Sequence, residues 1–311
     1  MATYLITGAT GQQGGATIRF LLEADAKVRA VVRNSLAPSA QELAKRGVGI
    51  FQGTHEDFDV FSEAASGCRG IFLNLTPSAN RDSMPRQTRV IIQACLDAKV
   101  EAIVVSTAFF TGNRGKWDGS QNGYDDPSLR AYFEAKLEVE DIVRKSGLQY
   151  TILRPAWIHS NYLLPNSRSY CPGLADNNEL VHSYDDGVKM PHIDELDIGK
   201  FAAAALQDQG RFGGQEIELG NENLTAEQVR SAIKRVVGRD LKLRKRTPEE
   251  VETARDAVVI QMFQLWANHV NLTIDGEALQ AKFGIPMTTF EEYLRREEMR
   301  MLASLPEMGT G

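Results

Sequence analysis

Cysteine is scarce in this chain. Cys68, Cys95 and Cys171 are the only three in 311 residues and no two form a C-x-x-C pair, so neither a disulfide framework nor a cysteine-rich zinc site fits their number and spacing. His182, His192 and Asp194 lack the spacing of metal ligands, and no metal is expected. Charge of one sign is also missing: 35 Lys and Arg stand against 41 Asp and Glu, a net charge of -6, with no basic stripe. That balance argues against nucleic acid as a direct ligand. No apolar run approaches the length of a membrane span. The first one has no charged region before it and breaks at Gly8, which makes a poor signal peptide. A cytoplasmic chain with reduced thiols is the expectation. Internal repeats, low-complexity tracts and coiled-coil heptads are absent as well.

What is present is alternation. The runs "TYLIT", "KVRAVV", "VGIFQ", "GIFLNL", "AIVVST" and "YTILRP" alternate with longer amphipathic stretches through residue 155. This pattern predicts an α/β fold, a Rossmann-type doubly wound parallel sheet. Residues 1–155 are expected to form that domain, and 156–311 a substrate-binding region with a smaller, mostly helical C-terminal lobe, some segments returning to the first domain. Residues 156–195 mix polarity with Pro, Gly and Asn and read as loops with short elements. Beyond them "LDIGKFAAAALQ" reads as a helix and "QEIELG" as a strand. "LTAEQVRSAIKRVVG" reads as a helix capped by Thr225, and helices are expected within 247–270 and 287–305.

Gly8, Gly11 and Gly14 lie between the first strand and the first helix. Glycines at these places permit a tight turn, close approach of backbone to a pyrophosphate, and close helix–strand packing, while the helix N-terminus offers N–H groups to phosphate. At the end of the second strand, where a carboxylate would hold a ribose hydroxyl, stands Arg33. A guanidinium there forks onto a 2'-phosphate, which favours NADP(H) over NAD(H). Tyr132 and Lys136 lie one helical turn apart in "PSLRAYFEAKLEVEDIVRKSG", a helix expected to start at Asp126 or Ser128. A nearby ammonium favours the phenolate of a tyrosine that exchanges a proton during hydride transfer.

Taken together, "TGATGQQGG", "VVRN", "YFEAKLEVE", "TILRPAWIHSN" and "HIDELDIGKFAAAAL" resemble the NmrA-like family of atypical short-chain dehydrogenases/reductases, over essentially the whole chain. The resemblance implies an NADP(H)-binding Rossmann domain with a small C-terminal lobe over the nicotinamide end. It implies Gly8, Thr10, Gly11, Gln13 and Gly14 at the pyrophosphate and Arg33 at the 2'-phosphate. Leu75, Thr76 and Pro77 would line the cofactor, Lys136 would contact its ribose, and Pro155 and Ala156 would lie near the nicotinamide. Two positions depart from the family pattern. Gly53-Thr54-His55 stands where Gly-Asp is usual at the adenine, and Tyr132 stands where regulator-type members carry His. The second departure restores the Tyr-x-x-x-Lys of catalytic reductases. A hydroxyl that orients a carbonyl is expected after the fifth strand, with Ser106 and Thr107 the candidates and Ala108 the alternative occupant of that place.

Phe109, Phe110, Trp157, His159, Tyr162 and Tyr170 fall beyond strand ends, where open α/β sheets bind ligands. Aromatic side chains there favour a bulky aromatic or heterocyclic substrate, with His159 a candidate acid or base. The leading reading is an NADP(H)-dependent oxidoreductase for such a metabolite, in secondary-metabolite biosynthesis. The alternatives are an NADP(H)-sensing regulator that binds a protein partner and an enzyme of non-redox rearrangement.

Overall fold

The structure is a computed structural model that describes residues 1–76, 80–120, 123–254 and 258–306. Contacts divide the chain into two compact units: Met1–Gly112 with Ala131–Pro155 and Glu195–Glu218, and Asn113–Arg130 with Ala156–Asp194 and Leu219–Gly311.

The first unit is built on β1 (Thr3–Ile6), β2 (Lys27–Val32), β3 (Gly49–Gln52), β4 (Gly70–Asn74), β5 (Ala102–Ser106) and β6 (Gln149–Pro155), paired in parallel. With β7 (Glu216–Leu219), the sheet order is β7-β6-β5-β4-β1-β2-β3. The order reverses between β1 and β4, the kind of point where doubly wound sheets open a crevice beyond their carboxyl ends. Thr7 ties the two strands there: its Oγ1 accepts from the Asn74 backbone N–H at 2.8 Å and donates to the Phe72 carbonyl at 3.2 Å. These strands are near-continuous Val, Ile, Leu and Phe because a parallel sheet is covered on both faces. Helices α1 (Gln12–Glu23), α2 (Pro38–Lys45), α3 (Phe58–Ala65), α4 (Ser83–Asp97), α5 (Pro127–Arg144) and α6 (Glu195–Gln207) supply the cover. On one side Leu5, Phe61, Ile71, Ile91, Ile103, Val143 and Ile152 belong to one buried cluster. Helix α6 packs closely on α1. The six strands and α6 read from the sequence are all present.

In the second unit, Trp157–Ile158, Met190–Ile193 and Glu222–Leu224 form a three-stranded sheet, and Glu179–His182 pairs in parallel with Lys242–Lys245. Thr225 caps Ala226–Val237 through a capping box with Gln228, and Thr289 caps Phe290–Arg296 through one with Glu292. These reciprocal bonds satisfy N–H groups that a helix start leaves unpaired. The stretch expected to be loops with short elements contains three strands of two to four residues among its loops and short helices. The later strands Glu222–Leu224 and Lys242–Lys245 had no sequence signal, since three or four mainly polar residues carry little periodicity. Within 247–270 lie the helices Pro248–Thr253 and Val259–His269, with 255–257 outside the described residues. Among the described residues no helix is long and apolar enough to cross a membrane.

The α1–α6 contact is tight at Gly199, where an added Cβ would lie 2.6 Å from the Cβ and carbonyl carbon of Ala16. Gly to Ala inside a helix ordinarily gains about 1 kcal/mol. Here overpacking reverses the sign, and Gly199→Ala is expected to destabilise the chain by about 1–3 kcal/mol. Denaturant titration checks this, and a stabilised variant would refute the contact.

Candidate active site

The turn after β1 is shaped by steric necessity. Gly8 has φ +60°, and a Cβ on Gly14 would stand 2.3 Å from the Gly8 carbonyl oxygen, so backbone occupies the space a side chain would need. The Gly11 N–H closes the turn on the Gly8 carbonyl at 2.9 Å. Gly11 caps α1 without a side-chain bond, and no acidic residue stands in its first turn. The positive end of the helix is thereby kept for an external anion. Gln13 is anchored across the sheet, its Oε1 accepting from the Ser106 hydroxyl at 2.6 Å. Thr10, Gly11, Arg33 and Thr76 are exposed, Leu75 is buried, and Pro77 lies outside the described residues. After β3, Asp57 caps the turn by accepting from Thr54 N–H and Oγ1, while the His55 ring packs 6.1 Å from that of Phe61.

Asp126 begins α5 by accepting from the N–H groups of Ser128 and Leu129 at 2.8 and 3.0 Å. Further along, Lys136 is buried and donates to the Leu75 carbonyl at 3.4 Å, with its Nζ 5.9 Å from the ring centre of half-buried Tyr132. The two residues share a face, as their spacing predicts. Burial pulls the Lys136 ammonium down to about 8, against an upward pull from Glu140. An amine so shifted exchanges protons near neutral pH, a property typical of functional sites.

The two candidate hydroxyls at the end of β5 are both engaged within the protein. Thr107 Oγ1 donates to Glu140 at 2.7 Å inside a buried cluster, and Ser106 is held by Gln13. Thr107 is thereby tied to a carboxylate of the protein interior. Glu140 also accepts from Arg154 Nε at 3.0 Å and Nη2 at 2.7 Å, and from Arg144 at 2.8 Å. Arg154 reaches Glu218 and Glu216 on β7, and Arg144 also binds Glu216. Glu218 in turn accepts from the Phe110 N–H at 2.6 Å, stabilising a residue at φ +58°. The Phe109 N–H donates to the Pro155 carbonyl at 3.1 Å. Phe109 and Phe110, expected at the substrate, are thus buried aromatic neighbours on a loop held at both ends.

The remaining substrate candidates lie in the second unit. Trp157 and Tyr162 line a cavity of about 20 Å³ with Cys171, His182, Tyr184 and His192. This is room for about one water. Tyr170 stands edge-on to Trp157 at 5.3 Å. The Met190 carbonyl, an acceptor only, fixes the proton of His192 on Nδ1, so Tyr162 donates to Nε2 at 2.9 Å. His159 is buried against Phe290 and Tyr293, at ring separations of 5.1 and 4.9 Å. Burial holds it neutral, well below its ordinary value, and pushes His192 down to about 4. His159, expected as a substrate contact or acid–base group, thus stands at a buried position where desolvation disfavours its charged form.

The model of the NmrA-like family matches residues 2–294. The chain belongs to the NmrA-like family. An oxidoreductase of Pestalotiopsis microspora is 34% identical over 244 residues, covering 72% of this chain and 87% of the relative. Quinone oxidoreductase 2 of Escherichia coli is 24% identical over 297 residues, covering 92% of this chain and 96% of the relative. The crystal structure of an NADPH-dependent quinone oxidoreductase from Escherichia coli, complexed with NADPH, superposes with a TM-score of 0.75 at 23% identity, covering 94% of this chain and 99% of that one. Its likeness bears on fold.

In this NmrA-like chain the sequence reading missed Glu140, Arg154 and Glu218. Glu140 follows Lys136 by four residues, a spacing that could have raised it. The other two are brought in by strand pairing, which leaves no local signal. For Lys136, linkage gives a testable sign. With its folded value about 8 below the ordinary 10.5, the native state binds fewer protons than the unfolded one between those values, so stability rises with pH across that window. Denaturant titrations at pH values spanning it should show wild type gaining on Lys136→Met by up to a few kcal/mol. A constant difference would contradict the shift.

Proposed function

We propose that this chain is an NADP(H)-dependent oxidoreductase that reduces a carbonyl or imine on a bulky aromatic or heterocyclic compound, as in secondary metabolism. The observation that carries this reading is the buried Lys136 ammonium one helical turn from Tyr132, in the unit that contains the glycine cradle. The cradle fits a dinucleotide: backbone fills the place of a Gly14 side chain, α1 offers an unneutralised N-terminus, and Arg33 is exposed at the end of β2 for a 2'-phosphate. The relatives named oxidoreductases and the quinone acceptor of one of them support the same class.

Gly8, Thr10, Gly11, Gln13 and Gly14 would hold the pyrophosphate, Arg33 the 2'-phosphate, and Leu75, Thr76 and Pro155 the rest of the cofactor. When bound, the nicotinamide supplies hydride to the acceptor carbon. Tyr132 gives its phenolic proton to the acceptor oxygen or nitrogen and recovers one from solvent. Lys136 stabilises the intervening phenolate by charge and is the group to hold the ribose.

A second reading, cofactor sensing with a protein partner and no turnover, is favoured by one observation. Both hydroxyls after β5 are already engaged, Ser106 by Gln13 and Thr107 by Glu140.

Tyr132→Phe is expected to lower kcat with NADPH and a simple quinone by about 10²–10⁴-fold. NADPH affinity, measured by calorimetry, should stay unchanged. Equal turnover would remove Tyr132 from catalysis, and a wild type without turnover whose partner affinity follows NADPH would favour sensing. Arg33→Ala should weaken NADPH binding by about tenfold or more while leaving NADH binding alone; equal losses would place the 2'-phosphate elsewhere.

A further inference from the structure

We propose that Glu140 is the positioning residue of the candidate site, one carboxylate that sets both the state of Lys136 and the seating of the loop after β5. The proposal deepens the oxidoreductase reading and rests on it for its catalytic consequence.

Glu140 is fully buried and lies one helical turn beyond Lys136 on α5. Its two oxygens receive four hydrogen bonds: Oε1 from Thr107 Oγ1 and Arg154 Nε, Oε2 from Arg154 Nη2 and Arg144 Nη2. Those donors come from the end of β5, from β6 and from α5 itself. The same Arg154 reaches Glu218, whose carboxylate accepts the Phe110 N–H. A Cβ on Gly112 would lie 2.3 Å from Arg154 Nη2, so the guanidinium packs directly under the end of this loop. Residues 107–112 are therefore seated on one ion cluster at Thr107, Phe110 and Gly112.

The second consequence is electrostatic. Among the described residues, Lys136 meets the Tyr132 ring on its own helix and the Leu75 carbonyl after β4, and buried Glu140 lies one helical turn further along α5. Around Glu140 are Arg144 on α5, Arg154 on β6, Thr107 after β5, and, through the arginines, Glu216 and Glu218 on β7. Buried with Lys136 and one helical turn from it on the same helix, the Glu140 carboxylate favours the charged ammonium against desolvation. Without it, burial acts on Lys136 unopposed and two guanidinium groups lose their shared partner. Both changes push the ammonium toward its neutral form at lower pH.

The test titrates Lys136 in the full-length chain through its side-chain carbon resonance, assigned by its disappearance in Lys136→Met. In Glu140→Gln the midpoint is expected to fall by about one pH unit or more, a tenfold loss of proton affinity. Thr107→Val, which removes a hydrogen bond and no charge, should leave the midpoint in place. The alkaline limb of the kcat profile with NADPH and a quinone should move down with it in Glu140→Gln, while NADPH affinity by calorimetry holds. An identical midpoint in wild type and Glu140→Gln overturns the proposal even if turnover is robust. A wild type without turnover overturns the oxidoreductase reading, and the resonance still reports on Glu140. Should Glu140→Gln not fold, Glu140→Asp, which retracts the charge by one methylene, should lower the midpoint by less, and no change in it overturns the proposal.

Discussion

A guanidinium that leaves water must find partners or destabilise the fold by several kcal/mol, and Arg154 is buried at the penultimate position of β6. Its partners come from three places: Glu140 on α5, and Glu216 and Glu218 on β7. Because those carboxylates lie 14, 62 and 64 residues away in sequence, satisfying one side chain fixes the relation of a helix, a central strand and an edge strand. Thr107 and the Phe110 N–H then attach the loop after β5 to the same carboxylates. Geometry at the candidate site is inherited from this ion cluster, since both the loop and the turn of α5 that bears Lys136 are attached to it.

The division of labour within the first unit follows from chemistry. At β1, sterics rule: backbone must approach backbone, only glycine fits, and the helix start is left without a cap. At α5, solvation rules: a buried lysine that donates to the Leu75 carbonyl has its charged form disfavoured by desolvation. The first arrangement suits a ligand held by many weak N–H contacts, and the second suits a step in which charge appears and disappears. Gln13 ties the cradle to the end of β5, where its side chain accepts from the Ser106 hydroxyl.

Much of this was legible in the sequence. Strand runs of Val, Ile, Leu and Phe between amphipathic helices gave the sheet, because burial on both faces erases the alternation of an exposed strand. The Tyr132–Lys136 pair was readable because i,i+4 neighbours share a helix face whatever surrounds them. Legibility failed where the decisive fact was non-local. Nothing near Thr107 tells whether its hydroxyl faces a ligand or a carboxylate 33 residues on. His159 sits among polar and aromatic residues that look like a pocket wall, yet its ring is packed between Phe290 and Tyr293, which follow more than a hundred residues later. The second unit was read least well, for strands of two to four residues leave hardly any pattern.

Helix α6 and strand β7 come from residues 195–219 but complete the unit begun at residue 1, α6 against α1 and β7 beside β6. This interleaving has a bearing on biosynthesis. As the chain emerges from the ribosome, the first 155 residues carry α1 with the face that contacts Gly199 still bare, and Arg154 with two of its three carboxylates not yet made. The nascent domain stays incomplete until about sixty further residues have been translated, so the glycine turn can be formed long before the scaffold behind it closes.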